Sequence, residues 1–452
     1  MSRWQHELKQ LLTLMTPILV TQLAQAAYGF VDTIMAGQVS SLDLAAVAIG
    51  SGLWLPVFLL ISGTVMATTP LVAAAYGAGR YTDVPRIVHQ SLWVGLFCGV
   101  SGMAVMRMLP FSFDLLHVPA HLQGPTRLYL EGVAWGMPAV AIFCALRFYS
   151  EALGRTRPVM VISVLGVLLN IPANDAFIHG KYGLPAMGGA GCGWATAVVM
   201  FTLMLVLLAW VLLAPSYARY RLFREKPVPD WPRIRHIFAL GLPIGIAIFF
   251  EVSVFSLVAL LVSPLGEQTV AAHQVSMSVT SLLFMVPLSL AISMTIRTGQ
   301  AFGRHDWTAI RLVRRTGLTL TTGIACLSAL SIVAFRDTIT SVYSTDPSVR
   351  DMAAGLLLFA AAYQVFDALQ VGAAGCLRGV QDTRSPMVLT LIAYWVIAMP
   401  VGYSLGMTTF WTPEPMGARG FWIGLVTGLG AACLLLNWQL GRKLLRLEKR
   451  WS

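Results

Sequence analysis

Residues 190–213 read AGCGWATAVVMFTLMLVLLAWVLL, a run without one charged side chain. The segment behind it, 214–235, holds Arg219, Arg221, Arg224, Lys226, Arg233 and Arg235. A helix needs about 20 consecutive apolar residues to cross a bilayer, so the run crosses once and the basic segment stops at the far surface. Working outward, five runs of spanning length precede it, near 12–37, 46–74, 88–109, 128–150 and 157–178. Six follow, near 236–263, 270–296, 313–335, 352–377, 386–407 and 419–441. The expected fold is an all-α integral membrane protein with twelve transmembrane helices.

Composition and charge agree with this reading. Hydrophobic residues fill 57% of the 452 positions and charged residues 11%, against about 25% charged in soluble domains. The net charge of +11 invites a nucleic-acid partner, which the placement of the basic residues argues against. With both termini cytoplasmic, 25 of the 31 Lys and Arg fall inside, leaving only Arg107, Arg127, Lys181, Arg336, Arg350 and Arg419 outside. Positive residues gather on the cytoplasmic side, and one misplaced span would scramble the bias. The polar start, Met1–Lys9, leads into an apolar segment that contains Asp32 and exceeds a signal-peptide core, so a retained first helix is expected. The six cysteines are scattered without CxxC spacing, so neither a disulfide framework nor a metal site is expected.

The chain also repeats itself. At an offset of 226, Pro17 aligns with Pro243 and Ala45-Ala46 with Ala271-Ala272; at 228, Pro158 aligns with Pro386, Pro172 with Pro400 and Trp194 with Trp422. The division is into an N-terminal six-helix lobe, 1–213, a cytoplasmic basic loop, 214–235, and a C-terminal six-helix lobe, 236–452. Six spans return the chain to its starting side, so the lobes should be related by a pseudo-two-fold axis along the membrane normal. Lobes that alternate about a central path need such duplication; a membrane-embedded enzyme does not.

Three carboxylates fall inside spans: Asp32 in the first, Glu251 in the seventh and Asp367 in the tenth. A charge at the bilayer centre costs about 2.5–3.5 kcal/mol on insertion scales, so three facing lipid would cost roughly 8–10 kcal/mol. No Lys or Arg in the same spans can pair them, and buried capping alone is a poor account of all three. A hydrated cavity, a bound cation or protonation remains. Asn170 and Asn174, four apart on the fifth span, share a face and can reach Asp32, with Thr196 on the sixth as a further candidate. Tyr363 and Asp367 have the same spacing on the tenth, while Glu251 is followed by Ser253 and Ser256. An oxygen-rich cluster with two carboxylates suits Na⁺ and equally a proton, because close carboxylates raise one another's pKa.

These features resemble the multidrug and toxic compound extrusion (MATE) transporters, in their NorM-type bacterial branch. The resemblance rests on Gly29–Gly37 around Asp32, the Gly77-Ala78-Gly79-Arg80 turn, Leu240-Gly241-Leu242-Pro243-Ile244 leading to Glu251, and Leu377-Arg378-Gly379 through Thr383. It implies export of organic cations and cationic drugs in exchange for Na⁺ or H⁺. The chain is further expected to sit in the bacterial inner membrane as a monomer without cofactor. The resemblance carries the coupling-cation site over to Glu251, Asp367 and Tyr363, with Na⁺ as the metal they would hold, and an N-lobe proton or substrate network to Asp32, Asn170, Asn174 and Thr196.

Other signals are weaker. His117 and His121 lack a third ligand, and Pro119 interrupts any helix between them. Gly188, Gly189, Gly191 and Gly193 have neither the strand nor the lysine of a phosphate loop. His273 is read as a packed polar residue rather than a proton relay. A lipid-linked oligosaccharide flippase, the alternative within the superfamily, would favour Arg or Lys where this chain has acids. A catalytic constellation, which an enzyme would need, is not found in the spans.

Overall fold

The structure, a computed structural model, describes residues 2–115, 118–222 and 226–451. His117 and Arg224 therefore lie outside the described residues. Among those described there is no strand, and twelve helices are long and apolar enough to cross a membrane. They are α1 (Arg3–Val39), α2 (Ser41–Gly77), α3 (Asp83–Ser112), α4 (Ala120–Ala152), α5 (Thr156–His179) and α6 (Gly188–Leu213). The second set is α7 (Trp231–Leu265), α8 (Glu267–Gly303), α9 (Trp307–Tyr343), α10 (Pro347–Gly379), α11 (Arg384–Met407) and α12 (Ala418–Arg450). Sequence signals mark several ends. Ser40 accepts from the Asp43 amide at 3.0 Å to cap α2, Asp306 caps α9 through Ala309 N at 2.9 Å, and Asp346 precedes Pro347 at the head of α10.

The chain divides into two compact units, Pro17–Ile246 and Met1–Thr16 with Ala247–Ser452. This differs from a boundary drawn at the basic loop. The cuts fall inside α1 and α7, at Pro17 and just past Pro243, where a missing backbone N–H weakens the helix. The sequence-based boundary follows chain polarity, whereas packing groups each end of these long helices separately.

In the 17–246 unit α4 is the central post. A Cβ on Gly99 of α3 would lie 2.6 Å from Pro138 Cα, and one on Gly132 would lie 2.5 Å from Trp194 N. Only glycine permits such backbone approach, the usual means of packing membrane helices. Gly241 and Gly245 likewise let the first half of α7 lie on α2 at Thr64 and Leu60. The basic segment is held against the same unit. Gln90 donates to Val228 O at 3.0 Å and accepts from Asp230 N at 2.9 Å, and Trp93 donates to Pro227 O at 2.8 Å.

In the other unit α10 plays the corresponding part. A Cβ on its Gly375 would stand 2.5 Å from Ala291 O of α8. Residues 392–398 of α11 form a π-helical turn immediately before Pro400. Proline offers no N–H and its ring clashes with the carbonyl four residues back; widening the preceding turn relieves both, and such turns often mark functional positions.

Candidate functional site

Asp32 sits on α1 at 5% exposure, and α5 and α6 supply the donors around it. Asn170 and Asn174 both donate to its Oδ1, at 2.8 and 2.7 Å, and the Thr196 hydroxyl donates to Oδ2 at 3.2 Å. The structure thus brings together all four residues expected in this network. Pro172 lies between the two asparagines inside α5, and the Tyr28 hydroxyl, one turn before Asp32, is spent on Ser163 O at 3.0 Å. The carbonyl oxygens of Asn170 and Asn174 find no partner among the described residues. Three donors aimed at one carboxylate make a cradle for a negative charge, and the two free amide oxygens make it receptive to a cationic neighbour.

The second cluster lies in the unit containing α8 to α12. Glu251 on α7 accepts from the Tyr394 hydroxyl at 3.2 Å, and Tyr394 is fully buried. Tyr363, on α10, is within hydrogen-bonding reach of Tyr394, and both Tyr363 and Asp367 interact electrostatically with Glu251. Glu251, Asp367 and Tyr363 are therefore one cluster. Asp367 is 1% exposed, and its Oδ1 has no hydrogen-bond partner among the described residues. Aromatic rings wall the cluster. Phe255 meets Tyr363 and Tyr394 at centroid distances of 6.1 and 6.2 Å, and Trp422 meets Tyr363 at 6.1 Å.

Sequence reasoning missed Tyr394. The π turn aims two consecutive residues at α7: Tyr394 reaches Glu251, and Trp395 donates its indole N–H to Phe250 O at 3.3 Å. Pro400 was the available signal. Ser253 and Ser256 do not join the cluster, because their hydroxyls turn back to Phe249 O and Val252 O at 2.7 and 3.2 Å. His273 is a packed polar residue, 2% exposed, whose Nδ1 accepts from Trp422 Nε1 at 3.3 Å.

Two further carboxylates prove to be buried, and both have arginine partners. Glu151 is inaccessible at the end of α4 and pairs with Arg147 at 2.7 Å, while Arg147 also donates to Gln22 at 2.6 Å. Glu7 takes a bidentate pair from Arg297, at 2.8 and 2.7 Å. Among the described residues no ion pair includes Asp32, Glu251 or Asp367. No group of three or more His, Cys, Asp or Glu is arranged to ligate a metal among them. A cation at the second cluster would take its remaining ligands from neutral oxygens such as Tyr363.

Comparison with known proteins identifies the family. The MatE family pattern matches residues 17–175 and 243–404, one segment from each half. The chain is 50% identical to a probable multidrug resistance protein NorM of Acinetobacter baylyi, covering 97% of each chain. It is 47% identical to multidrug resistance protein PmpM of Pseudomonas aeruginosa, over 99% of this chain and 94% of that one. The fold matches the crystal structure of the eukaryotic MATE transporter AtDTX14 with a TM-score of 0.88 over the full length of both, at 18% identity. Twelve membrane-crossing helices, a doubled pattern and full-length kinship with named multidrug resistance proteins lead to one conclusion: the chain belongs to the MatE family of multidrug efflux transporters.

Proposed function

We propose that the protein is a cation-coupled antiporter that exports organic cations and cationic drugs in exchange for Na⁺ or H⁺ by alternating access. One observation carries this reading: each unit holds carboxylates inside its spans, Asp32 in one and Glu251 with Asp367 in the other, that form no ion pair with a basic side chain among the described residues. A cationic drug and a small cation both favour an ionised carboxylate, so occupancy by one lowers affinity for the other, and the coupling is reciprocal in binding free energy. Glu251, Asp367 and Tyr363 form the coupling-cation site, and Asp32 with Asn170, Asn174 and Thr196 forms the proton or substrate network. The excess of basic residues on one side of the spans supports cytoplasmic termini and the bacterial inner membrane as the site of action. The transporter works as a monomer among lipids, without a cofactor.

Purified protein in liposomes tests the proposal. Drug export should follow an imposed Na⁺ or H⁺ gradient and stop when both are collapsed. Asp367→Asn should abolish gradient-driven export while sparing drug binding better than Asp32→Asn does. Equal losses of ion and drug affinity in Asp32→Asn, Glu251→Gln and Asp367→Asn would sink the two-site assignment.

A further inference from the structure

Helix α10 presents more buried oxygen around Asp367 than the three-residue site uses. Gln364 and Gln370 lie three residues to either side of Asp367, at spacings that put their Cβ atoms roughly 5–6 Å from it. Their exposures are 1% and 3%, and both side-chain oxygens, like Asp367 Oδ1, lack any hydrogen-bond partner among the described residues. Three consecutive rungs of one helix thus end in unsatisfied acceptors. Asp32 has the opposite surroundings, with two asparagine amides and a threonine turning donors toward it.

We propose that Gln364 and Gln370 are ligands of the coupling cation, their amide oxygens completing with Asp367 an oxygen-only site for a hard alkali cation such as Na⁺. The inference rests on the antiport reading and deepens it. Acceptors without donors, set in a membrane interior, are satisfied by a cation or by the water that accompanies it. A proton would meet only one of the three, since an amide oxygen is a good ligand for Na⁺ and a very weak base. The two carboxylates of the cluster supply charge, and the amides supply the neutral oxygens that a cation released during each cycle needs. Gln370 stands one turn nearer the Arg378 end of α10 and Gln364 one turn nearer its start, so the rungs also give the ion successive positions along the helix.

The test is saturable ²²Na⁺ binding to the purified full-length transporter. Met matches the shape of Gln without its amide, so Gln364→Met and Gln370→Met should each weaken Na⁺ affinity about tenfold, a change of ~1.4 kcal/mol. Drug binding measured without Na⁺ should stay within about twofold of wild type. Gln370→Glu, which keeps an oxygen at the rung, should hold Na⁺ at least as well as wild type. Should Gln370→Met lose Na⁺ and drug binding together, Gln370→Glu decides: restored Na⁺ binding supports the ligand role, and continued loss overturns it. Unchanged Na⁺ affinity in the double methionine variant, with Asp367→Asn still defective, would overturn the amide ligands and leave the antiport reading intact. A wild-type protein that exports drug on a proton gradient yet binds no Na⁺ would overturn the alkali-cation site and limit the coupling to H⁺.

Discussion

Asp32 and Asp367 are both buried mid-helix carboxylates, and what surrounds each decides what it does. In Asn174→Ala, Asp32 Oδ1 keeps only the Asn170 donor. A hydrogen bond to a charged group contributes about 1.5–3 kcal/mol, so this variant should unfold at a lower temperature in detergent and export less drug. Wild-type export and an unchanged Tm would show that the network is dispensable. Glu151→Ala strands the buried Arg147 guanidinium with Gln22 alone, at a cost of roughly 3–5 kcal/mol. Replacing both partners, Arg147→Met with Glu151→Leu, should recover most of that loss in the same melting experiment. The three unpaired acids were legible in the sequence because a charge inside an apolar run stands out, and Asn170 and Asn174 because four residues make one helical face. Tyr394 was not, since it bonds a residue 143 positions away in the sequence. Ser253 and Ser256 misled because a hydroxyl inside a helix usually bonds the carbonyl four residues back. Glu151 drew no notice in the sequence because it lies just past the apolar run read near 128–150, and only packing reveals its burial.

Helices α1 and α11 show how an element is set up to act. Before Pro17, α1 is tied by the Glu7–Arg297 pair within one unit; after it, Gln22 is bonded to Arg147 within the other. With both flanks held, bending concentrates at the proline, where a helical hydrogen bond is already missing. Pro17→Ala should therefore cut transport several-fold in the liposome assay while leaving Tm unchanged or higher. Full transport by this variant would rule out a role for bending there. The spans themselves were legible, but helices such as α8, Glu267–Gly303, outrun the apolar stretch read near 270–296. Hydropathy stops at the lipid edge, whereas backbone hydrogen bonding continues into water. The attachment of the loop at Gln90 and Trp93 was hidden for a different reason: it joins residues more than 130 apart in sequence.

At the scale of the molecule, sequence repetition and the doubled family match describe two halves, and the compact units exchange the ends of α1 and α7 between them. Repeats in sequence record duplication, while packing records which surfaces fit, so the exchange had no signal in the alignment of prolines alone. The charge bias makes a direct prediction about orientation. A cysteine placed at Ser216 should resist an impermeant thiol reagent applied to intact cells and react after permeabilisation; prompt labelling from outside would invert the topology. The Glu7–Arg297 pair also constrains the order of manufacture. Its partners are 290 residues apart, and ribosomes add about 5–20 residues per second, so roughly 15–60 s pass before the first turns of α1 can meet their partner. During that interval a buried carboxylate of the finished protein waits at the membrane surface without its arginine. Nascent chains truncated before Arg297 should leave the amino-terminal segment open to protease, and those extended through α8 should begin to protect it.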